Sequence, residues 1–324
     1  MDTDSRILLA FVRSGDRFVS GSAVARELGL SRVSVHNHLE ALREQGFSFE
    51  AIRNRGYRLV AEPEAFHPAF FRALLADTPC PFLEAIHPFD EVGSTNDIAA
   101  TFLADGKTAP LMVIAAAQSR GRGRRGRVWH SPRNRNLYLS LGLRPRLPPT
   151  RLQTVTLSLG LAVCRFLRDQ FGLPVLLKWP NDLMLHDRKI AGMLTEARVD
   201  AELTRDLVFG IGLNANTQES DFPPELRGLA SSLAQNLGRS LVLTRLAHSL
   251  VTALAEALAS FLEYGPDPEL PGQWNEFDYL QGRRIHSDAA EGLAQGISSN
   301  GSLRVRRDDG SLALLHSGEV TLNP

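Results

Sequence analysis

Apolar positions along this chain first recur with a helical period. From Ser5 to Ser14, Ile7, Leu8, Leu9, Phe11 and Val12 make one apolar stripe. Ser20 to Gly29 reads as a second short helix, stopped by Gly29 because glycine tolerates the left-handed backbone of a helix end. After Leu30, Ser31 is a good N-cap. A third helix is expected over about Arg32 to Glu44, with Val33, Val35, Leu39 and Leu42 turned inward. Gly46 ends it. The period then changes to two. Phe47 to Ile52 and Tyr57 to Val60 alternate around Arg53-Asn54-Arg55-Gly56, which reads as a hairpin. Helix, short turn, helix and basic-tipped hairpin form the pattern of a winged helix-turn-helix.

Ala61-Glu-Pro-Glu-Ala65 reads as a linker. From about 66 to 275, apolar strands alternate with helices, which predicts a mixed α/β domain. Leu111 to Ala117, Asn136 to Leu143, Val175 to Trp179, Lys189 to Glu196 and Leu207 to Leu213 read as strands. Thr150 to Gly172 and Leu243 to Tyr264 read as helices with long apolar faces. Past 275 the strands shorten, with Gly282, Gly292, Gly301 and Gly310 at turns, which predicts a small β-barrel of the SH3 kind over 276–324. The expected fold is thus α+β and multidomain: a winged helix-turn-helix over 1–62, a mixed α/β domain over 66–275, and an SH3-like barrel.

The 324 residues suit two or three domains, and 43% apolar content is ordinary for a soluble globular chain. No apolar run approaches the length of a membrane span, and Met1-Asp-Thr-Asp-Ser-Arg6 is not a signal peptide, so a cytoplasmic protein is expected. Cys80 and Cys164 lie far apart and match no metal spacing, which fits two separate thiols in a reducing compartment. Formal net charge is zero, so nucleic-acid binding must come from a local surface. Of 36 basic residues only Lys107, Lys178 and Lys189 are lysine. A chain that uses arginine as its generic cation keeps lysine for places that need a compact ammonium.

Charge concentrates between two of the strands. Arg120 to Arg135 contains seven arginines and no acid, with Gly121, Gly123 and Gly126 between them. Glycine lets a backbone lie close against a ligand, and the arginine fork matches phosphate or carboxylate. An arginine-glycine RNA-binding tail would be long and unanchored. A loop that is merely solvated would suffer the mutual repulsion of its charges. A flexible cationic loop that closes over an anionic ligand fits better than either.

The third helix should carry Arg32, Ser34, Asn37 and His38 on its outward face, where they reach bases or phosphates in a major groove. Arg53 and Arg55 at the hairpin tip suit a wing on the phosphate backbone. A protein-docking domain of similar size is the competing reading. Arg26 to Arg58 holds six arginines against four glutamates, a surplus of two, so one copy should bind DNA weakly and a homodimer is expected.

Four more segments place polar residues where a core would not want them: Glu91-Val-Gly-Ser-Thr-Asn96, Lys178-Trp-Pro-Asn-Asp182, Asp187-Arg-Lys-Ile-Ala-Gly-Met-Leu194 and Gly210-Ile-Gly-Leu-Asn214. Singly, each is as well explained by a helix cap or a turn. In this order, with Gln118 and the arginine-glycine loop, the chain resembles the biotin protein ligases, specifically the bifunctional members that also repress biotin synthesis.

The resemblance implies that biotin carboxylate attacks the α-phosphate of ATP, and that a lysine of a biotin carboxyl carrier protein then takes the biotinyl group. It implies Lys178, Arg122 and Arg124 as catalytic residues. Ser94, Thr95, Asn96, Gln118 and Gly123 join them around biotin. Arg122, Arg124, Trp129, Asn181, Lys189 and Asn214 would face ATP or the adenylate, with Mg2+ held by the nucleotide phosphates. Operator DNA of biotin-synthesis genes is the implied second partner. Leu314-Leu-His-Ser-Gly-Glu-Val-Thr321 keeps the family's glycine-glutamate turn but not the aromatic residue that some members place before it, and nothing is assigned to the loop after Asn214. A lipoate-type ligase, a ligase whose N-terminal domain no longer binds DNA, and a ligand-sensing repressor without catalysis remain as alternatives.

Overall fold

A computed structural model describes residues 1–80, 82–200 and 202–322. It divides into two compact units, one of Met1–Pro81 with Ser240–Val251 and one of Phe82–Arg239 with Thr252–Pro324.

The first unit contains α1 (Thr3–Ser14), α2 (Gly21–Leu28), α3 (Arg32–Glu44), the hairpin β1 (Ser48–Ile52) and β2 (Gly56–Ala61), and α4 (Pro68–Asp77). The caps are the expected ones. Gly29 is left-handed at the end of α2, and the Ser31 hydroxyl accepts the Ser34 N–H at 3.0 Å. Ile7, Leu8, Leu39 and Leu42 are fully buried between the helices. Val19 joins the wing by exchanging backbone hydrogen bonds with Tyr57 at 2.7 and 2.9 Å. This close approach is why position 56 is glycine: its φ is +105°, and a Cβ there would sit 2.1 Å from the Val19 carbonyl oxygen.

Two expectations change in this unit. Val33 is not inward but 68% exposed, because the buried line of α3 runs through Val35, Leu39 and Leu42 on the opposite side. Residues 61–65 are no free linker. Glu62 forms a two-point ion pair with Arg245, and Leu243 N–H donates to the Glu64 carbonyl at 2.8 Å. The segment from 66 onward also packs here: Phe70, Ala73 and Leu74 of α4 complete the helical core, Phe70 edge-on to Phe47.

The second unit is built on β3 (Ala85–Val92), α5 (Thr95–Ala104), β4 (Leu111–Gln118), β5 (Leu137–Leu143), α6 (Leu152–Phe171), β6 (Leu176–Lys178), β7 (Asp182–Leu185), β8 (Arg188–Asp200) and β9 (Leu203–Leu213). Among the described residues these strands form one sheet in the order β3-β4-β5-β9-β8-β7-β6, with β3 and β4 parallel and the other neighbours antiparallel. β4 and β5 are interior strands of it and read as almost unbroken apolar runs because both their faces are covered. Then come α7 (Leu233–Leu237), α8 (Leu243–Tyr264), which the two units share, and α9 (Leu270–Asn275). By length and composition α8 could cross a membrane, yet Leu250, Leu254 and Leu258 are fully buried in protein.

The C-terminal segment forms β10 (Arg284–His286), β11 (Glu291–Ile297), β12 (Leu303–Arg306), β13 (Leu312–Leu315) and β14 (Thr321–Leu322). They make an antiparallel sheet in the order β13-β12-β11-β10-β14. β13 and β14 are its opposite edges, and these five short strands are the small C-terminal β domain expected from the turns. This sheet is stitched to the central one. Leu177 N–H donates to Phe277 O at 2.7 Å, Tyr279 N–H to Leu177 O at 2.8 Å, and the Trp179 indole N–H to Gly301 O at 3.0 Å.

The stitching buries a carboxylate. Asp278 Oδ1 accepts the Leu280 N–H at 2.9 Å, while Oδ2 and the nearby Trp274 Nε1 make no hydrogen bond of normal geometry among the described residues. Burial pushes the Asp278 carboxyl up to about 6, against weaker stabilisation of its charge by Leu280 and Trp274. A raised acid pKa favours the folded state below the unfolded value near 4, and this advantage is lost as pH rises through about 6. The loss is on the order of 2–3 kcal/mol. Asp278→Asn should therefore raise the urea midpoint at pH 7.5, with the gain vanishing near pH 4. Equal midpoints at pH 7.5 would mean that the carboxylate is not desolvated.

Candidate active site and nucleic-acid face

A cavity of about 530 Å³ opens beside β8 and β9, and every residue expected to touch biotin or the nucleotide lines it. Its floor exists because two strand positions lack side chains. The Trp129 ring lies on Gly212, where a Cβ would fall 2.4 Å from the indole, and it also covers Gly192, where the distance would be 3.0 Å. Lys189 Nζ stands 5.4 Å from the centre of that ring and pairs with Asp182 at 2.7 Å. The Trp129 Nε1 is buried and makes no hydrogen bond among the described residues.

One end is a polar wall. Ser94 is buried at the start of α5 and makes no capping bond. The next residue, Thr95, donates its N–H to Gln118 Oε1 at 2.8 Å, and Gln118 Nε2 donates to Ser131 Oγ at 3.1 Å. These neutral donors and acceptors suit a neutral polar ring.

Asn96 serves differently. Its amide donates to Leu194 O at 3.2 Å and Glu196 Oε2 at 2.7 Å, and its Oδ1 accepts the Ser140 hydroxyl at 2.6 Å. Gly210 makes room for it, since a Cβ there would lie 2.0 Å from Oδ1. Asn96 therefore braces the wall. Asn214 is similar: it is buried, donates to Ser231 O at 3.0 Å, and meets Asn136 at 3.4 Å. Asn181 ties its turn to β8 through Met193 O at 2.6 Å.

The other end is cationic. The loop doubles back on itself: Gly123 N–H donates to Arg127 O at 2.7 Å and Trp129 N–H to Gly121 O at 2.9 Å. Most of its arginines have carboxylate partners that are distant in sequence. Arg122 bonds Asp97 at 2.6 Å and Glu196 at 3.0 Å, Arg125 pairs with Asp288 at 3.2 Å, and Arg127 with Glu319. Arg133 pairs with Asp90 and Glu91, and Arg135 with Asp221 at 3.8 Å. The charge that looks uncompensated along the chain is largely compensated in space.

Arg124 and Lys178 are the exceptions in the cavity. Neither has a carboxylate within 4.0 Å among the described residues. Burial lowers the pKa of both. For Lys178, Asp182 and Glu319 oppose the shift, while Lys189 and Arg127 add to it. For Arg124, Arg125 adds and Asp182 opposes. Desolvated and unpartnered, these two cations are prepared for an anion.

Sequence reasoning missed several parts of this site. Asp97 and Glu196, which hold Arg122, carried no signal beyond adjacency to quoted motifs, whereas Glu319, which holds Arg127, is the glutamate of the quoted glycine-glutamate turn. The loop after Asn214 closes one side: Lys189 N–H donates to Leu229 O at 2.8 Å, Phe222 is buried, and Leu229 stays 66% exposed at the cavity rim. No group of three or more His, Cys, Asp or Glu that could cage a metal occurs among the described residues.

On α3, Arg32 and Asn37 are exposed as expected, and Ser34 is partly buried, its N–H taken by the Ser31 cap. His38 is a correction: it turns back to α1 and meets Asp4 at 2.7 Å. His36 faces outward instead, 3.6 Å from Glu40. At the wing tip Arg53 is exposed, while Arg55 stacks on Phe18 at 4.5 Å and Arg58 approaches the same ring at 5.0 Å.

A model of the biotin/lipoate A/B protein ligase family matches residues 89–214, a helix-turn-helix domain model matches 5–58, and a biotin protein ligase C-terminal domain model matches 284–322. The chain is 30% identical over 319 residues to the bifunctional ligase/repressor BirA of Escherichia coli strain K12, spanning 97% of this chain and 96% of that one. It is 29% identical over 316 residues to the bifunctional ligase/repressor BirA of Bacillus subtilis strain 168, spanning 96% of each. A solved structure of the Aquifex aeolicus biotin protein ligase in complex with biotin and ATP superimposes with a TM-score of 0.64 at 26% identity, covering 74% of this chain and 99% of that one.

Proposed function

The chain belongs to the family of bifunctional biotin protein ligases that carry a helix-turn-helix repressor domain, and we propose how its residues divide that work. It activates biotin with ATP and biotinylates a carrier protein. In the first half-reaction a biotin carboxylate oxygen attacks the α-phosphorus of ATP, forming biotinyl-5′-AMP and expelling pyrophosphate. In the second, a carrier lysine amine attacks the biotinyl carbonyl, an amide forms, and AMP and a proton leave.

One observation carries the assignment of roles: Lys178 and Arg124 stand desolvated in the cavity without carboxylate partners. Two anions must meet in the first step, and fixed cations lower that barrier. Lys178 sits between carboxylate and α-phosphate, Arg124 takes the phosphates, and Arg122 exchanges Asp97 and Glu196 for the ligand. Ser94, Thr95 and Gln118 bond the ureido ring. Trp129 on its glycine bed supplies the apolar surface. Mg2+ would be held by the nucleotide phosphates, which suits an ion that dehydrates reluctantly. A DNA-binding enzyme that consumes ATP works, on this reading, in the cytoplasm and away from membranes.

Pyrophosphate release with biotin or lipoate as the acid tests the first half. Release with biotin and not lipoate is expected, and the reverse would favour the lipoate-type reading. The repressor half is a homodimer on operator DNA of biotin-synthesis genes. It predicts a footprint on the organism's own biotin-synthesis promoter that appears with biotin plus ATP and fades when unmodified carrier consumes the adenylate. Normal ligase activity without any footprint would leave a monofunctional ligase.

A further inference from the structure

Val33 is the second residue of α3, and its exposure of 68% contrasts with 0 to 1% for Val35, Leu39 and Leu42. It points directly away from the core. Nothing local favours an apolar β-branched side chain there: valine is an indifferent helix former, and water gives it no contact. Its neighbours on the helix surface are polar and outward: Arg32 beside it, His36 and Asn37 one turn on. The first turns of a recognition helix are the part that meets base edges. The major groove presents one apolar group to such a helix, the C5-methyl of thymine.

We propose that Val33 reads a thymine methyl group in the operator, and that the base-reading line of α3 is Val33, His36 and Asn37. This rests on the DNA-binding reading above. The Ser31 cap at 3.0 Å fixes the first turn, so the valine methyls are presented on a rigid backbone. Glu40 Oε1 lies 3.6 Å from His36 and pairs with Arg43, without occupying the groove-facing position of Val33.

The test uses the full chain with biotin and ATP. It selects a preferred duplex from a randomised pool and then measures Kd with each thymine of that site replaced by uracil, which removes only the methyl. One replacement in each half-site should weaken wild-type binding by about 4-fold per contact. Val33→Ala should bind the thymine site more weakly by a similar factor and be indifferent to that replacement. Val33→Ile, which keeps the methyls, should retain the discrimination. Unchanged ligase activity in both variants serves as the folding control, since Val33 lies outside the ligase domain. The inference is overturned if no uracil replacement weakens the wild type, or if Val33→Ala loses the same factor as the wild type. A selection that yields no preferred sequence overturns the DNA-binding reading itself, and this inference with it.

Discussion

Lys178→Ala is expected to slow biotinyl-adenylate formation by about 10³-fold, the scale seen when one preorganised electrostatic partner is removed from a transition state, with the fold intact. The side chain is only partly buried and bonds nothing that holds the sheet together. Its neighbours do that work: Leu177 and Trp179 are fully or almost fully buried and tied to Phe277, Tyr279 and Gly301. Lys178→Arg should fail nearly as badly. The backbone on either side cannot shift to accommodate a longer planar fork, and the cavity already holds Arg124 and Arg127 nearby. Pyrophosphate release, with circular dichroism as a control, gives the answer. Near-normal turnover by Lys178→Arg would move the catalytic role elsewhere. Because burial lowers the pKa of this lysine, activity of the wild type should fall on the basic side at a lower pH than an ordinary lysine would give.

Gly212→Val should cost about two orders of magnitude in kcat/KM, roughly 2.7 kcal/mol of transition-state stabilisation. The reason is steric and not conformational. The φ of Gly212 is not positive, so the backbone accepts a side chain. The space does not, since its Cβ would meet the indole of Trp129 at 2.4 Å. Trp129 must leave its bed, and the cavity loses its floor. The change should therefore appear both in KM for biotin and in the fluorescence of Trp129. Wild-type KM with unaltered fluorescence would show that the ring is not held there in solution.

Much of this architecture is legible in the sequence because periodicity reports burial. Helix α8 has the expected bounds, α2 ends at its glycine, and β4 and β5 read as apolar runs. The cationic loop and the lysine-tryptophan-proline motif point to the same cavity, because their residue types are costly anywhere else. What stays hidden is contact between distant segments. Val33 fits a helical stripe as well as Val35 does, and only the packing of α1, α2 and β1 against α3 decides which is covered. His36 and His38 are likewise interchangeable in sequence, and Asp4 on another helix settles the matter. Asn96 and Asn214 look like ligand contacts because buried amides are rare. Ser140, Glu196 and Asn136, which satisfy them, lie tens of residues away.

The pairing of the loop arginines has a consequence for how the site responds to ionic strength. A naked cationic loop would gain a full Coulomb attraction from an incoming anion, and added salt would weaken that gain steeply. Here Arg122 already holds two carboxylates, and Arg125 and Arg127 hold one each. At Arg122 binding is then an exchange of one anion for another, and salt screens the pairs that break as well as those that form; Lys178 and Arg124 have no such pair to give up. Salt should therefore weaken the anion contacts of Lys178 and Arg124 more than those of Arg122, while the DNA face, whose Arg32 and Arg53 are exposed, keeps the full dependence.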